Sequence, residues 1–84
     1  MTYEIEFGSK AKKFIKNLEK KIAIRILDKF ESIRENPFAY LKHLEGKGYK
    51  LRIGNFRAIL DIDSTKKVLF VRVINKRSQV YKTK

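Results

Sequence analysis

The stretch YKLRIGNFRAILDI, residues 49–62, constrains the fold of this chain more than any other. Apolar residues alternate with Lys50 and Arg52 before a Gly54-Asn55 pair, and a period of two is typical of a half-buried strand. Both residues of the pair tolerate the positive φ that a two-residue hairpin turn requires. The stretch therefore predicts an antiparallel hairpin.

A two-residue turn determines which residues face each other across the hairpin. Arg52 then faces Arg57, and Lys50 shares their face of the sheet. Because two arginines directly opposite each other repel, an anion bound between them would explain the pattern. The alternative is a solvated outer face, on which Lys and Arg keep the protein soluble and prevent edge pairing. The hairpin alone does not decide between these interpretations.

The length and composition limit the class of protein. Eighty-four residues suit one domain, residues 1–84, with a single core. The absence of cysteine excludes disulfides and thiolate metal sites. No apolar run approaches the roughly 20 residues needed to span a bilayer, and the residues MTYEIEF begin as a strand rather than a signal peptide. We therefore expect a cytoplasmic protein with no membrane partner.

The net charge of +12 is concentrated in the second half of the chain. Residues 42–84 hold twelve Lys and Arg against three Asp and Glu, whereas residues 1–41 hold nine against six. Such a field attracts a polyanion. Nucleic acid is the first expectation for a partner, and an acidic protein is the second.

The N-terminal half predicts a strand followed by helices. Residues 3–7 alternate as a strand, and Ser9 is expected to cap the next helix. Two apolar stripes, which begin at Ala11 and Ile22, predict a helical hairpin bent at residues 19–21. One long kinked helix is the alternative. Asn36-Pro37 ends the helical segment, and the residues that follow, up to Gly48, are expected to form a loop.

The C-terminal half completes the predicted sheet. A turn at Ser64-Thr65 would pair Leu60 with Leu69, Ala58 with Val71 and Arg57 with Arg72, which places Arg72 on the cationic face. The predicted fold is a single small α+β domain. It has an N-terminal strand, a two-helix hairpin and then a three-stranded antiparallel meander, with the helices packed on one face of the sheet.

The sequence lacks the common motifs for phosphate loops, serine nucleophiles and metal sites. Asp61 and Asp63 share a strand face, but no third acidic or histidine ligand is in register, so we expect no metal and no cofactor. His43, the only histidine, has no positioned partner, and we interpret it as a surface or packing residue rather than a general acid or base.

Metal-free RNA cleavage needs residue types that this chain has. The ribose 2′-OH must lose a proton, and the charge that builds on the phosphate must be stabilised. Arginines and lysines can supply the second requirement, and a tyrosine or lysine with a lowered pKa can supply the first.

Several motifs occur in a recognisable order: YEIEF, a lysine-rich helical hairpin, Asn-Pro, LKHLEG, YKLRIGNFRAIL and KRSQVY. In this order and spacing they resemble the RelE/ParE superfamily of bacterial and archaeal toxins over essentially the whole chain. The resemblance implies a toxin of a type II toxin–antitoxin system. It also implies ribosome-dependent, metal-independent cleavage of messenger RNA in the A site, which leaves a 2′,3′-cyclic phosphate and inhibits translation.

The resemblance also implies partners. A RelB-like antitoxin, the ribosome and messenger RNA are expected, with a monomeric free toxin and a higher-order toxin–antitoxin complex. Two alternatives stay open. One is a ParE-like inhibitor of DNA gyrase without nuclease activity, and the other is a non-enzymatic RNA-binding module.

The resemblance assigns catalytic roles to five residues: Lys50, Arg52, Arg57, Arg77 and Tyr81. Arg57 and Arg77 would stabilise the scissile phosphate, Lys50 and Arg52 would hold the backbone and help to move protons, and Tyr81 would be a base or a stacking platform. Without the resemblance, Tyr81 is equally well a residue packed on the sheet, and Arg77 a solvated charge.

Further RNA contacts are expected from Lys47, Arg72 and Lys76. The chain departs from the family pattern at Phe56, at Lys76 and at Ser78, where the family commonly has tyrosine, histidine and arginine respectively.

Overall fold

The structure is a computed structural model that describes residues 2–44 and 48–76. These residues form a five-stranded sheet with two helices packed on one face. The strands are β1 (Glu4–Phe7), β2 (Lys42–His43), β3 (Tyr49–Ile53), β4 (Phe56–Asp63) and β5 (Val68–Lys76), and the helices are α1 (Ser9–Lys16) and α2 (Lys20–Ser32). The predicted α+β architecture is confirmed.

The strand order across the sheet is β1-β5-β4-β3-β2. β3, β4 and β5 form the predicted antiparallel meander. β1 lies parallel to β5 at one edge, and β2 pairs antiparallel with β3 at the other. The strand β2 has only two residues and lies in the segment that we interpreted as a loop, after a single 3-10 turn at Pro37–Ala39.

The helical segment consists of two helices rather than one kinked helix. α1 ends at Lys16, where Asn17 donates its backbone N–H to the Lys13 carbonyl at 3.2 Å. α2 begins at Lys20, so the break lies slightly before the expected bend. Among the described residues, no helix is long and apolar enough to cross a membrane.

The prediction that Ser9 caps α1 is wrong. Gly8 holds the N-cap position with an extended backbone, and no side chain caps the helix. The Gly8 N–H donates to the Val71 carbonyl at 2.8 Å, and a Cβ on Gly8 would lie only 3.0 Å from the Phe70 ring. Because this contact with β5 fixes where the chain enters the helix, Ser9 is left inside the first turn.

The core lies between the helices and the inner face of the sheet. The apolar stripes and alternations of the sequence supply it, and its most deeply buried side chains are Ala11, Ile26, Phe30, Ile33, Leu51, Ala58, Leu60, Leu69, Val71 and Ile74. Two edge-to-face aromatic pairs join the helices to the sheet, Phe7 with Phe30 and Phe14 with Phe56, at centroid distances of 5.4 and 5.8 Å. Among the described residues, no polar or charged residue is buried.

The register of β3 and β4 is the predicted one. Arg52 pairs with Arg57, and Leu51 pairs with Ala58. Gly54 has φ of +57°, which suits a glycine at the first central position of a two-residue hairpin turn.

The predicted register of β4 and β5 is wrong. Leu60 pairs with Val71 rather than Leu69, and Arg57 pairs with Asn75 rather than Arg72. The turn is the first cause, because Asp63 pairs with Val68 and four residues, 64–67, connect the two strands instead of two.

A β-bulge is the second cause of the difference. The pair Leu60–Val71 is followed directly by Ile59–Val73, so Arg72 is an extra residue on β5. After the bulge, Ile74 points into the core beside Ala58.

Two isoleucines on α2 provide a test of this packing. Ile26 is 1% exposed and Ile24 is 49% exposed. Ile26→Ala should lower the free energy of unfolding by about 2–5 kcal/mol, because it removes transfer energy and leaves a cavity. Ile24→Ala should cost less than about 1 kcal/mol. Urea unfolding of both variants measures the difference, and similar losses at the two positions would contradict the described orientation of α2.

Candidate nucleic-acid interface

The candidate site lies on the face of the sheet turned away from the helices, called the outer face below. Its side chains alternate along the strands with those of the core. They include Lys42, Lys50, Arg52, Arg57, Ile59, Asp61, Phe70 and Arg72. The sheet thus presents basic side chains from four different segments of the sequence on one surface.

The centre of the site is the pair formed by Arg52 and Arg57. They lie directly opposite each other on β3 and β4, and Arg57 faces the neutral Asn75 on its other side. Lys50 lies two residues before Arg52 on the same strand face. Within the described residues, no carboxylate oxygen lies within 4.0 Å of any of these three cations. The arrangement leaves a strong positive charge without a described counter-charge.

Lys42 extends this charge to the edge of the sheet. It pairs with Lys50 across β2 and β3, so both side chains lie on the outer face. The sequence did not reveal Lys42 as a site residue, because β2 is too short to produce an alternating pattern. The Leu-Lys-His-Leu order around it, which flanks the strand with apolar residues, is the one signal that could have suggested a strand there.

Arg72 reaches the outer face from the β-bulge. Its Nη1 lies 3.6 Å from Oδ1 of Asp61, which holds the guanidinium across β4. The guanidinium also lies beside Gly48, where an added Cβ would be 3.8 Å from Nη1. Gly48 has φ of +83°, a conformation that favours glycine. Glycine at this position thus fits the backbone conformation and the close approach to β4, where an added Cβ would be 3.3 Å from the Leu60 carbonyl oxygen.

The outer face is electrically asymmetric. Its cations lie on β2, on β3, at the start of β4 and at the bulge of β5, whereas Asp61, Asp63 and Glu6 lie toward β1 and the end of β4. Glu6 and Asp61 flank Phe70, which pairs with both of them. A polyanion is thus attracted most strongly to the side of β2 and β3, because on the other side Lys66 lines one cavity with these carboxylates and their charges offset each other.

The remaining predicted site residues are not all on this face. Lys76 pairs with Phe56 and lies on the helix side, where it lines a cavity of about 380 Å³ together with Arg25 of α2. Arg77, Tyr81 and Lys47 lie outside the described residues. The structure therefore brings together Lys50, Arg52, Arg57 and Arg72 from the predicted set, and it separates Lys76 from them.

His43, which we interpreted as a surface or packing residue, lies at the surface. Its side chain is exposed and packs on Tyr49, with ring centroids 4.9 Å apart, and Tyr49 in turn contacts Phe38 at 5.9 Å. In residues 2–44 and 48–76, no three His, Cys, Asp or Glu side chains come together as a metal site.

The family comparison identifies the class of protein. Residues 5–81 match the model of the ParE toxin of type II toxin–antitoxin systems, parDE. The chain therefore belongs to the RelE/ParE superfamily of type II toxin–antitoxin toxins. No protein of curated function matches its sequence significantly.

Solved structures show the same fold. A variant of the Escherichia coli toxin RelE with two arginines replaced by alanine, in the free state, is 28% identical with a TM-score of 0.74, over 98% of this chain and 93% of that one. The RelBE2 toxin–antitoxin complex of Mycobacterium tuberculosis is 18% identical with a TM-score of 0.83, over 92% and 100%. The RelE–RelB complex of Pyrococcus horikoshii is 21% identical with a TM-score of 0.76, over 94% and 99%.

Repulsion between Arg52 and Arg57 has a measurable consequence for stability. Arg57→Thr should raise the free energy of unfolding by about 0.2–1 kcal/mol at low salt, because it removes a like-charge pair and threonine favours strands. The gain should shrink at high salt, where exposed charges are screened.

Arg72→Thr is the matched control for this experiment. It removes an arginine that has a carboxylate neighbour, Asp61, so no gain is expected. Urea titrations at two salt concentrations compare the variants, and a loss of stability in Arg57→Thr at low salt would show that repulsion is not the dominant effect there.

Proposed function

We propose that this toxin is a ribosome-dependent, metal-independent endoribonuclease that cleaves messenger RNA in the A site. The observation that carries the proposal is the pair Arg52–Arg57, directly opposed on an open face beside Lys50. Opposed arginines cost stability in the free protein, and a phosphate between them removes that cost. A phosphate whose negative charge increases during reaction is stabilised still more.

The proposed reaction uses a nucleophile from the RNA itself. The ribose 2′ oxygen loses its proton and bonds to the adjacent phosphorus, while the bond from phosphorus to the 5′ oxygen breaks and that oxygen gains a proton. The products are a 2′,3′-cyclic phosphate and a 5′-hydroxyl. No oxidant, reductant or metal ion is needed to balance this step.

The proposed site residues contribute to this reaction in different ways. Arg57 and Arg77 stabilise the phosphorane, and Lys50 and Arg52 hold the RNA backbone and help to move protons. Tyr81 is the base or a stacking platform. Cations around a tyrosine favour its anion, which is how such a residue would serve as a base near neutral pH.

The openness of the site supports a requirement for the ribosome. Arg52 is exposed, and Lys50 and Arg57 are only half-buried. Electrostatic stabilisation is weak where water reaches the charges and strong where it is excluded. A second surface that covers the outer face and fixes the RNA strand would strengthen the effect of the same three cations, and the ribosomal A site is the surface that we propose.

An antitoxin partner is proposed from the related complexes. The intact Escherichia coli RelBE complex contains a toxin 26% identical to this chain, with a TM-score of 0.72 over 88% of this chain and 95% of that one. We propose a RelB-like antitoxin for this toxin, which would be monomeric when free and part of a higher-order complex when neutralised. The positive face would attract acidic residues of such a partner.

A ParE-like inhibitor of DNA gyrase is the second candidate. The observation that favours it is the family model itself, which is that of the ParE toxin. The basic outer face is compatible with DNA as well as with RNA. A gyrase supercoiling assay therefore accompanies the cleavage assay described next.

The cleavage assay compares a programmed ribosome with the same messenger alone. We expect cuts only in the ribosomal sample, with 2′,3′-cyclic phosphate ends. A messenger with a single 2′-deoxy nucleotide on the 5′ side of the scissile bond should resist cleavage, because it lacks the nucleophile. Cutting of that messenger would refute the proposed reaction, and gyrase inhibition without cutting would favour the second candidate.

Arg57→Ala should abolish cleavage, with a loss of at least about 100-fold, as for removal of a group that stabilises developing charge. Lys13→Ala, which removes an exposed cation from α1 on the opposite side, should cleave like the wild type. Circular dichroism and urea unfolding check that both variants fold. Wild-type cleavage by folded Arg57→Ala would exclude Arg57 from the mechanism.

A further inference from the structure

We infer that Lys42, with Arg72 and Lys50, forms a second anion-binding point on the outer face, which holds an RNA backbone phosphate next to the one at Arg52 and Arg57. This inference deepens the proposed function and rests on it. It adds a substrate-binding residue, Lys42, that the sequence did not indicate.

The packing around β2 fixes the direction of Lys42. Its neighbour His43 packs on Tyr49 on the other face of the sheet, and Phe38 contacts the same tyrosine. Leu41 packs against the core, and the Leu44 N–H donates to the Gly48 carbonyl at 3.0 Å. Because side chains alternate across a strand, these contacts hold Lys42 on the outer face although β2 has only two residues.

The second point has the same unusual feature as the first, since like charges oppose each other across a strand pair. Lys42 lies directly opposite Lys50, at the strand separation of about 4.8 Å. Lys42 is exposed, and no described carboxylate lies within 4.0 Å of it. A sheet edge needs one charge to discourage pairing with other chains, whereas two opposed cations point to a bound anion.

Arg72 approaches this point from the other side. Its guanidinium crosses β4 and lies beside Gly48, the residue before β3, and its Nη1 lies 3.6 Å from Asp61 Oδ1. Lys42, Lys50 and Arg72 thus surround the start of β3, whereas Arg52 and Arg57 lie at its end. Lys50 and Arg52 are two residues apart, about 6.6 Å along the strand, so the two points are close enough to hold successive parts of one RNA strand.

The acidic half of the outer face limits where that strand can lie. Glu6 and Asp63 lie toward β1 and the end of β4, and they repel phosphates. The described cations of the outer face that have no carboxylate within 4.0 Å run from Arg57 along β3 to Lys42, and this is the direction proposed for the RNA strand. Lys42 would bind and orient the strand without acting on the reacting atoms.

The experiment measures binding of a labelled single-stranded RNA oligonucleotide as a function of salt. Loss of one phosphate contact on a single strand should reduce the slope of log K against log salt by about 0.7. We expect this reduction for Lys42→Ala, none for Lys42→Arg, which keeps the charge, and none for Lys13→Ala, which removes an equal charge from α1. In the ribosomal cleavage assay, Lys42→Ala should raise the half-saturating toxin concentration about two- to fivefold, with the rate at saturation unchanged.

Three results would overturn the inference: a wild-type slope for Lys42→Ala, an equal reduction for Lys13→Ala, or no binding of the RNA by the wild type at low salt. Its failure differs from failure of the proposed function. If the wild type cleaves RNA and Lys42→Ala changes neither the salt slope nor the half-saturating concentration, only the role of Lys42 is refuted. If the salt slope depends on Lys42 but the protein cuts no RNA, only the proposed nuclease activity is refuted.

Discussion

The pairing of β3 with β4 is the interaction on which the other features of the molecule depend. Leu51, Ala58 and Leu60 are fully buried on the inner side of this pair, so the outer side is free to carry charge. Burial of the inner side also makes a shift of one residue in the register of β3 and β4 costly, because such a shift would expose the buried apolar side chains to water. Arg52 and Arg57 are held in opposition by that constraint, since neither can move away without loss of the core behind it.

The same constraint explains how far the sequence alone could predict the fold. A two-residue turn and strict alternation determine the register of β3 and β4, and that register is observed. In β4 and β5 the outer face also carries apolar residues, namely Ile59, Phe70 and Val73. Apolar and polar residues therefore alternate only weakly along these strands, and the sequence allows more than one register. The parallel pairing of β1 with β5 joins distant segments, and no local pattern encodes such a partner.

The candidate site was predictable to a similar extent. Lys50, Arg52 and Arg57 follow from the hairpin alone, because their common face depends only on the local register. Arg72 was placed on the correct face through an incorrect pairing, since the bulge and the longer turn both alter its partner. The position of Lys42 on the outer face depends on the pairing of β2 with β3, and a strand of two residues is too short to be predicted from an alternating pattern. Lys76 lies on the helix side because of the bulge that precedes it.

The β-bulge at Arg72 also bears on how uniquely the chain folds. Without it, Val73 would replace Ile74 beside Ala58, a difference of one methylene group, or about 0.8 kcal/mol of burial. In this slipped form Asn75 would also face the core opposite Phe56, and burial of its amide without a hydrogen-bond partner costs more than one methylene group, so the bulge favours the observed arrangement of β5. In the slipped form every residue after Arg72 would change faces, and Lys76 would move to the side of Arg57.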